Sequence, residues 1–518
     1  MAEPTRITLE DFTGGINLES PSVSLKPNET DLMLNVIVQD KKLKPRPGCS
    51  ALHVTGFNGP IYDMVPFGQE TSIGGVAKLF IIYRNLGVGN NAYLGYLNGY
   101  TVGGETDLAS LGAVDTNYAA QMTKMGVYDP SRSGGILWAS IFQRVVYINA
   151  TGGAPATRTS TTMPAAAKDM LTGMWHRSHL FVGQPNLSLI ARHYIYRSSY
   201  GTPETFAADG TIVLHQSGVE GAVMGCVTAG DIGYFMKANG ISIVTGYDKE
   251  SFHYDQIMTR FAGGYSRGFA RVGSNLIGFA VTEDGPPDGP LQEARVRLHT
   301  VIGIAGQRVD DIGGRISPAF PTGRLNKEGC LAMYWARKNW VVMIPTINRD
   351  AAADTDVFVL DLDTNSWWRW EFPSAIAPCS MTYLDGNLLI GTVDGKVWSF
   401  NDSTSTDAGA SINAYWTSSW VGTSDGRTIA ADSITLTGRQ DSGGDCIVSV
   451  AVNGSAAFTE VGRACLRHGQ LDFATPTISG VGLINGALKM RIKIEFPADG
   501  VNAELHRIEI DIKKQGRT

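Results

Sequence analysis

The chain has little charge, no long apolar run and no signal-like start. Charged residues make up 18% of its 518 positions, below the roughly 25% of a typical soluble domain. Its longest apolar runs, near residues 79–83 and 340–345, are far shorter than the ~20 residues of a membrane-spanning helix. Residues 1–15 are mostly polar and include acids, unlike a secretory signal peptide. We therefore expect no membrane-spanning segment and synthesis in the cytoplasm.

The cysteines are few and widely separated. There are six, and no two of them form a Cys-x-x-Cys pair. This spacing excludes a zinc ribbon and a thioredoxin-like redox pair. In a long chain made in a reducing compartment, such cysteines are expected to be buried free thiols.

Glycine, in contrast, is abundant, and the turns it forms recur at a regular distance. The chain has 61 glycines, about 12% against a usual 7% or so. Short apolar strands closed by Gly, Asn or Asp recur between residues 78 and 387, on average about fifty residues apart. A four-stranded propeller blade takes about 40–50 residues. We predict an all-β chain with a β-propeller of six blades, with five to seven compatible.

Two Asp-Gly pairs give the strongest local signal for β-hairpins. Asp385-Gly386 and Asp394-Gly395 each stand between apolar runs, which predicts tight hairpins. They would fold residues 381–400 into three antiparallel strands. Together with the strand, polar turn and aromatic strand that precede them, residues 357–400 are predicted to form one whole blade.

The composition changes after residue 402. Residues 403–409 are rich in Ser, Thr, Asp, Ala and Gly and are predicted to be a linker. Strands predicted at 434–436, 446–452, 488–496 and 505–512 are spaced as in a β-sandwich. The predicted domains are an N-terminal arm or platform segment (1–55), the propeller (56–402) and an additional C-terminal β-sandwich or platform domain (403–518).

Two motifs match enzyme or metal patterns only in part. Gly264-x-Ser266-x-Gly268 has the spacing of a nucleophile elbow, but the residues after it alternate like a strand instead of forming the required helix. His176 and His179 are expected at the surface or at a hairpin, pointing to opposite faces of a strand. Neither pattern predicts chemistry.

An acidic turn follows a strand in the middle of the chain. Asp361, Asp363 and Asn365 begin like a calcium loop, but Ser366 replaces the loop's glycine and Phe372 its glutamate. A polar hairpin turn is expected, with weak cation binding at Asp361 and Asp363 left open. We predict no catalytic residues, no metal site and no cofactor, and the chain is expected not to be an enzyme.

The N-terminal segment carries an ordered set of residues: Asp11, Phe12, Gly14, Gly15, Asn17, Asn35, Arg46 and Gly48. This pattern resembles the opening of the nozzle proteins of short-tailed bacteriophages, also called tail tubular protein B or DNA-stabilisation tail hub proteins. Lys41 and Lys42 stand where that family usually has glycine. Residues 196–206 are similar to a blade element of the same family, and the resemblance weakens after residue 400.

The resemblance implies a structural virion protein with a propeller body and a platform domain. Six copies would form a ring below the portal and its adaptor, close the tail channel and let DNA pass at infection. The implied partners are further copies of the chain, the portal–adaptor, tail fibre or tailspike proteins, and genomic double-stranded DNA bound without sequence specificity. The implied location is the virion tail. A net charge of −6 is consistent with weak contact to phosphate.

Two other functions remain open from the sequence. One is a propeller-based carbohydrate-binding or glycan-degrading tail protein, which would need convergent carboxylates on one propeller face. The other is an intracellular propeller scaffold that works as a monomer.

Overall fold

The chain forms two compact units in the structure, which is a computed structural model. Unit 1 consists of Met1–Ser50, Asp356–Phe372 and Phe400–Thr518, and unit 2 of Ala51–Thr355 and Pro373–Ser399. The structure describes residues 5–53, 57–67, 78–85, 91–98, 105–113, 124–128, 136–141, 144–149, 157–159, 172–183, 194–213, 223–237, 240–257, 261–262, 266–282, 298–320, 330–345, 355–400, 402, 404–422, 427–466, 477–498 and 502–517.

Short strands come first along the chain. They are β1 (Thr5–Leu9), β2 (Gly15–Ile16), β3 (Glu29–Thr30), β4 (Met33–Leu34), β5 (Val36–Gln39), β6 (Lys42–Pro45) and β7 (Cys49–His53). The pair β2 and β3 is parallel, and β5 and β6 form an antiparallel hairpin.

The next strands form successive antiparallel sheets, which we call blades 1 to 7. Blade 1 contains β8 (Ile61–Phe67), β9 (Lys78–Asn85), β10 (Asn91–Asn98) and β11 (Glu105–Ala113). Blade 2 contains β12 (Lys124–Tyr128), β13 (Ile136–Ile141), β14 (Arg144–Asn149) and β15 (Thr157–Thr159). Blade 3 contains β16 (Thr172–His176), β17 (His179–Gly183), β18 (Tyr194–Ser199) and β19 (Thr202–Val213).

Blades 4 to 7 continue this order. Blade 4 contains β20 (Val223–Ala229), β21 (Ile232–Lys237), β22 (Gly240–Thr245) and β23 (His253–Ile257). Blade 5 contains β24 (Phe261–Ala262), β25 (Phe269–Val272), β26 (Asn275–Thr282), β27 (Leu298–Ala305) and β28 (Arg308–Asp311). Blade 6 contains β29 (Leu331–Trp335), β30 (Trp340–Ile344), β31 (Thr355–Asp361) and β32 (Ser366–Phe372). Blade 7 contains β33 (Pro378–Leu384), β34 (Asn387–Thr392), β35 (Val397–Phe400) and, from before blade 1, β7. Short 3-10 turns lie at Ser266–Gly268, Ser317–Ala319 and Ala336–Lys338.

Neighbouring blades of unit 2 are joined by shared apolar cores. Phe181 of blade 3 packs on Phe235 of blade 4, with ring centroids 6.0 Å apart. The Tyr234 hydroxyl donates a hydrogen bond to the Gly306 carbonyl of blade 5 at 2.9 Å. Strands covered on both faces are apolar without alternation, and all five residues of β30 are accordingly buried.

The structure confirms the predicted all-β propeller and changes its blade count. The described strands form seven successive sheets, at the upper end of the predicted range instead of six. The prediction that residues 357–400 form one blade is wrong, because β31 and β32 complete blade 6 and β33 begins blade 7. The Asp-Gly turns are as predicted, since both hairpins form between β33, β34 and β35. A run of hairpins has no local mark that separates the last strand of one blade from the first of the next.

The C-terminal strands complete unit 1. They are β36 (Thr406–Asp407), β37 (Ala410–Ser411), β38 (Tyr415–Thr417), β39 (Val421–Gly422), β40 (Arg427–Arg439), β41 (Cys446–Val452), β42 (Thr459–Ala464), β43 (Thr477–Ala487), β44 (Lys489–Glu495) and β45 (Glu504–Arg517). One sheet has the order β43-β40-β45-β6-β5, with β1 also paired to β45. Another has the order β4-β38-β44-β41-β42, with β39 paired to β44. Strands from both chain ends therefore share the same sheets.

The cysteines are unpaired, as predicted, and mostly buried. All six are free thiols, and only Cys465 is partly exposed. Burial raises the pKa of Cys330 and of Cys446 to about 12, so these thiols stay protonated and unreactive. Within the part of the chain that the structure describes, no helix has the length and hydrophobicity needed to cross a bilayer.

Gly395 provides a test of the blade 7 hairpin. It has φ +83°, and a Cβ there would lie 1.9 Å from the Phe57 carbonyl oxygen. We expect Gly395→Ala to lower the free energy of unfolding by about 2–4 kcal/mol, from left-handed strain and overpacking together. Gly306 is the matched control, because it has φ +62° with nothing within 4 Å of a Cβ, and Gly306→Ala should cost about 1 kcal/mol. If urea denaturation gave equal losses of unfolding free energy for the two variants, the close approach of position 395 to the Phe57 carbonyl would be contradicted.

Candidate functional site

The N-terminal motif begins with a tight polar turn and a buried ring. The Asp11 carboxylate accepts hydrogen bonds from the Thr13 backbone N–H at 2.9 Å and from its hydroxyl at 2.6 Å. Partial burial raises the pKa of Asp11, but these hydrogen bonds and nearby Lys41 outweigh burial, so the pKa is lowered. Phe12 is 1% exposed and meets the Trp416 ring edge to face, with centroids 5.1 Å apart. The turn therefore fixes an aromatic anchor in unit 1.

Two motif glycines stand where no side chain fits. A Cβ on Gly14 would lie 2.4 Å from the Asn28 carbonyl oxygen. Gly15 has φ +63°, and a Cβ there would lie 2.6 Å from the Trp367 carbonyl oxygen. Asn17, two residues further, is buried and its amide donates to Glu29 at 3.2 Å. These residues are needed for close backbone packing.

Arg46 lies in the interior of unit 1 and uses all five of its N–H donors. It forms a bidentate ion pair with Asp407, with Nη1 at 2.9 Å from Oδ1 and Nη2 bonded to Oδ2. Its Nε donates to the Asn35 side-chain oxygen at 2.9 Å. Nη1 and Nη2 also donate to the carbonyls of Pro47 and Glu371, at 3.0 and 2.9 Å. Only 2% of Arg46 and 3% of Asp407 is exposed, so this is a fully desolvated and fully paired charge.

Aromatic rings surround the same guanidinium. Its central carbon lies 5.3 Å from the ring centroid of Phe372 and 5.9 Å from those of Trp370 and Phe400. Cation–π attraction is worth about 2 kcal/mol when the cation is desolvated, as it is here. The environment therefore favours arginine over lysine at position 46.

Asn35 and Gly48 complete the motif around Arg46. Asn35 has φ +54°, a conformation that asparagine tolerates better than most residues. Its side chain accepts from the Glu371 backbone N–H and donates to the Asn413 carbonyl, both at 2.8 Å. The Gly48 N–H donates to the Thr404 carbonyl at 2.6 Å. The structure thus brings all eight predicted motif residues into unit 1, with Asn35 and Arg46 directly bonded.

Two partners in this interior were missed by the sequence analysis. Asp407 falls in the segment predicted to be a linker, and that prediction is wrong, because β36 pairs with β7 at Asp407 and Cys49. Arg491 forms a second, part-buried ion pair with Asp31, and its Nε donates to the Ser418 carbonyl at 2.8 Å. Burial lowers the pKa of Arg491 to about 10. A single acid in a Ser/Thr/Gly-rich stretch carries no local signal that it will be buried.

The acidic turn at Asp361 is closed by its own hydrogen bonds. The Asp361 carboxylate accepts from the Asp363 backbone N–H at 3.1 Å and from the Thr364 hydroxyl at 2.5 Å. Burial raises the pKa of Asp361. Among the described residues, no group of three His, Cys, Asp or Glu side chains is placed to hold a metal ion.

His176 and His179 face each other at the tip of a blade 3 hairpin. They are cross-strand partners because Arg177 and Ser178 form a two-residue turn, with φ +47° and +61°. The predicted hairpin is confirmed, but the opposite orientation is wrong, since directly paired residues share one face. Both are at most 3% exposed, and His179 Nδ1 donates to the Ser198 carbonyl at 2.7 Å. Burial lowers the pKa of His176 to about 4 and also lowers that of His179.

A cavity of about 500 Å³ is bordered by first strands of the blades in unit 2. Among the described residues that line it, the charged ones are Asp63, Arg267 and Arg271, of which Arg267 donates to the Cys379 carbonyl. Aromatic groups add to the lining, including Trp175 and Tyr334. One carboxylate and two guanidinium groups among apolar walls make the described lining suitable for a small polar or anionic ligand.

Comparisons with known proteins give distant structural likenesses. No protein-family model matches the chain, and no curated protein matches it. A virginiamycin B lyase from Staphylococcus aureus is similar in structure at 11% identity and a TM-score of 0.41, over 68% of this chain and 98% of the lyase. The computationally designed Ika8 protein has 11% identity and a TM-score of 0.35, over 68% of this chain and 99% of that one. An exo-beta-1,3-galactanase from Phanerochaete chrysosporium has 9% identity and a TM-score of 0.29, over 74% of this chain and 95% of the galactanase.

These likenesses correct one expectation. Two of the three similar proteins are enzymes, a lyase and a galactanase, which contradicts the prediction that the chain is not an enzyme. At these identities and TM-scores, the likenesses give neither a reaction nor a substrate for this chain.

The Arg46–Asp407 pair predicts a large and specific loss of stability. Arg46→Met leaves the Asp407 carboxylate buried without its cation, and we expect unfolding to become easier by about 3–5 kcal/mol. The matched control is Arg463→Met, because Arg463 pairs with Glu460 at 2.9 Å with side chains 60% and 47% exposed. The control should cost less than about 1 kcal/mol. Denaturant titration of both variants measures the difference in the free energy of unfolding. Similar losses in the two variants would show that the buried pair stabilises the chain no more than the exposed one.

The buried histidines predict that the fold loses stability in acid. His176 is neutral in the folded chain, with a pKa of about 4, but takes up a proton near its ordinary 6.5 when unfolded. The unfolded state therefore binds more protons between these values, and stability falls as the pH drops from about 6.5 to 4. For His176 this loss is on the order of 3 kcal/mol.

His176→Gln tests this assignment. The variant should flatten the fall of the unfolding midpoint between pH 7 and pH 4.5, whereas His253→Gln, at an exposed position, should leave it unchanged. An unaltered pH profile in His176→Gln would contradict the assignment.

Proposed function

We propose that the chain is a nozzle subunit of a short bacteriophage tail, a structural protein of the virion. The observation that carries this proposal is the placement of the motif that resembles the nozzle family. Asp11, Phe12, Gly14, Gly15 and Asn17 make close contacts in unit 1. Arg46 forms the buried ion pair of this unit with Asp407, Asn35 accepts a hydrogen bond from Arg46, and the Gly48 N–H donates to the Thr404 carbonyl. A family motif that serves packing in this way supports a shared platform domain.

In this role, six copies form a ring that extends the tail channel below the portal–adaptor. Repeated head-to-tail contacts between identical subunits close into a ring when the rotation fits. The ring closes the channel until infection and then lets double-stranded DNA pass, and tail fibre or tailspike proteins attach to it. The net charge of −6 per copy makes the assembled ring acidic, which disfavours tight binding of passing phosphates.

Electron microscopy of the purified chain with its portal–adaptor complex tests the proposal. We expect a six-fold ring that continues the portal channel. Arg463→Met should assemble normally, whereas Arg46→Met should reduce ring formation because it destabilises unit 1. A chain that stays monomeric and does not bind the portal–adaptor would reject the nozzle role.

A second candidate is recognition or degradation of a glycan by the propeller. The observation that favours it is the cavity in unit 2, whose described lining combines Asp63, Arg267 and Arg271 with aromatic rings. Sugars are bound by such mixtures of hydrogen-bonding and aromatic groups. Among the described residues of that lining, Asp63 is the one carboxylate, so the lining fits binding of a glycan better than hydrolysis by a carboxylate pair.

Incubation of the purified chain with bacterial polysaccharides tests this candidate. Binding or cleavage that is lost in Asp63→Asn, but kept in Asp255→Asn at an exposed position of β23, would support the cavity. Polysaccharides that remain both unbound and intact would reject it.

A further inference from the structure

Two tyrosines of unit 2 are unusually exposed. Tyr200 is 70% exposed and Tyr247 is 69% exposed. Of the large hydrophobic side chains that are exposed in the described residues, these are the aromatic ones. A single exposed hydrophobic residue needs no explanation, so the question is whether the two act together.

Both tyrosines lie beside the same two-residue turn, Arg177–Ser178. The N–H of Gly201, which follows Tyr200, donates to the Ser178 carbonyl at 2.8 Å. The Arg177 guanidinium lies over the Tyr247 ring, 4.4 Å from its centroid. Tyr200 and Tyr247 therefore flank one hairpin tip, although they are distant in sequence. We call Tyr200, Tyr247, Arg177 and Asp231 the tyrosine patch.

Each tyrosine ring contacts a side chain that is itself fixed by another interaction. The Tyr200 ring meets His179 edge to face, with centroids 5.7 Å apart, and His179 is itself buried and bonded to the Ser198 carbonyl. Arg177 is fixed over Tyr247 by an ion pair with Asp231 at 2.5 Å.

The loop that carries Tyr247 is closed by a single serine. The Ser251 hydroxyl accepts from the backbone N–H groups of Tyr247 and Asp248, each at 3.0 Å, and donates to the Asp248 carboxylate at 2.7 Å. A ligand that binds here would therefore order few groups, which reduces the entropic cost of binding.

The chemistry of the patch favours a sugar over a protein partner. The rings are bordered by charged groups, namely Arg177, Asp231 and Asp248. A protein hot spot requires an apolar centre that is shielded from water, whereas a sugar presents apolar C–H faces and hydroxyl edges. Tyrosine rings can stack on those faces, and carboxylate and guanidinium groups can bind the hydroxyls. We propose that the tyrosine patch is a glycan-binding site.

This inference shares its ligand class with the second candidate function and rests on it to that extent, but it assigns binding to different residues. The nozzle role does not depend on it. Variants of the patch and of the cavity therefore distinguish the two sites.

To test this, the full chain is titrated with defined oligosaccharides that contain hexose, N-acetylhexosamine or uronic acid units. Binding is measured by calorimetry and by saturation-transfer NMR. The double variant Tyr200→Ala and Tyr247→Ala should weaken binding by about tenfold or more, because both stacking faces are lost. Tyr200→Phe with Tyr247→Phe should stay within about threefold of the wild type, since the ring faces persist.

Two controls complete the design. Val23→Ala with Leu488→Ala truncates exposed hydrophobic residues elsewhere and should leave binding unchanged. Thermal unfolding shows whether the double alanine variant is folded. If that variant is unfolded, the phenylalanine pair still shows whether binding persists when the rings are kept and only the hydroxyls are removed.

Several results would overturn the proposal. They are absence of binding by the wild type, full binding by a folded double alanine variant, and loss of binding in Asp63→Asn while the alanine variant still binds. The last result would assign the glycan to the cavity. A double alanine variant that binds glycan normally but no longer docks on the portal–adaptor would instead identify the patch as a protein contact.

Discussion

Unit 1 depends on a charge that is buried and must be neutralised. Arg46 from the N-terminal segment is surrounded by Asp407, by the carbonyls of Pro47 and Glu371, and by the Asn35 side chain. An unpaired guanidinium in this position would cost several kcal/mol, so the stability of unit 1 depends on all of these segments. The pair consequently links chain segments that are more than 300 positions apart in the sequence.

This constraint gives the N-terminal residues a definite role. Strands β5 and β6 continue the sheet formed by β40 and β45, and the glycines at 14 and 15 permit backbone contact with Asn28 and Trp367. An N-terminal arm would leave these groups in solvent. The segment is instead a structural part of unit 1. The cavity and the tyrosine patch belong to unit 2.

Much of the fold could be predicted because its signals are local. Asp385-Gly386 and Asp394-Gly395 determine hairpins within four residues, and the apolar run of β30 marks a strand buried on both faces. The features that could not be predicted are those that depend on pairing between distant parts of the chain. Whether β32 ends a blade, whether Asp407 is buried and whether His176 faces His179 all depend on partners elsewhere in the chain or on a turn's backbone conformation. The eight motif residues were found through a resemblance, whereas their bonds became visible only in the structure.

Native-state hydrogen exchange tests most directly whether residues from both ends of the chain form one cooperative unit. The account predicts that amides of β5 and β6 and those of β45 exchange through the same opening, with free energies that agree within about 1 kcal/mol. Asp407→Asn should lower these free energies together. Fast exchange of β5 and β6 while β45 stays protected would contradict the account, because the N-terminal segment would then open independently of the rest of unit 1.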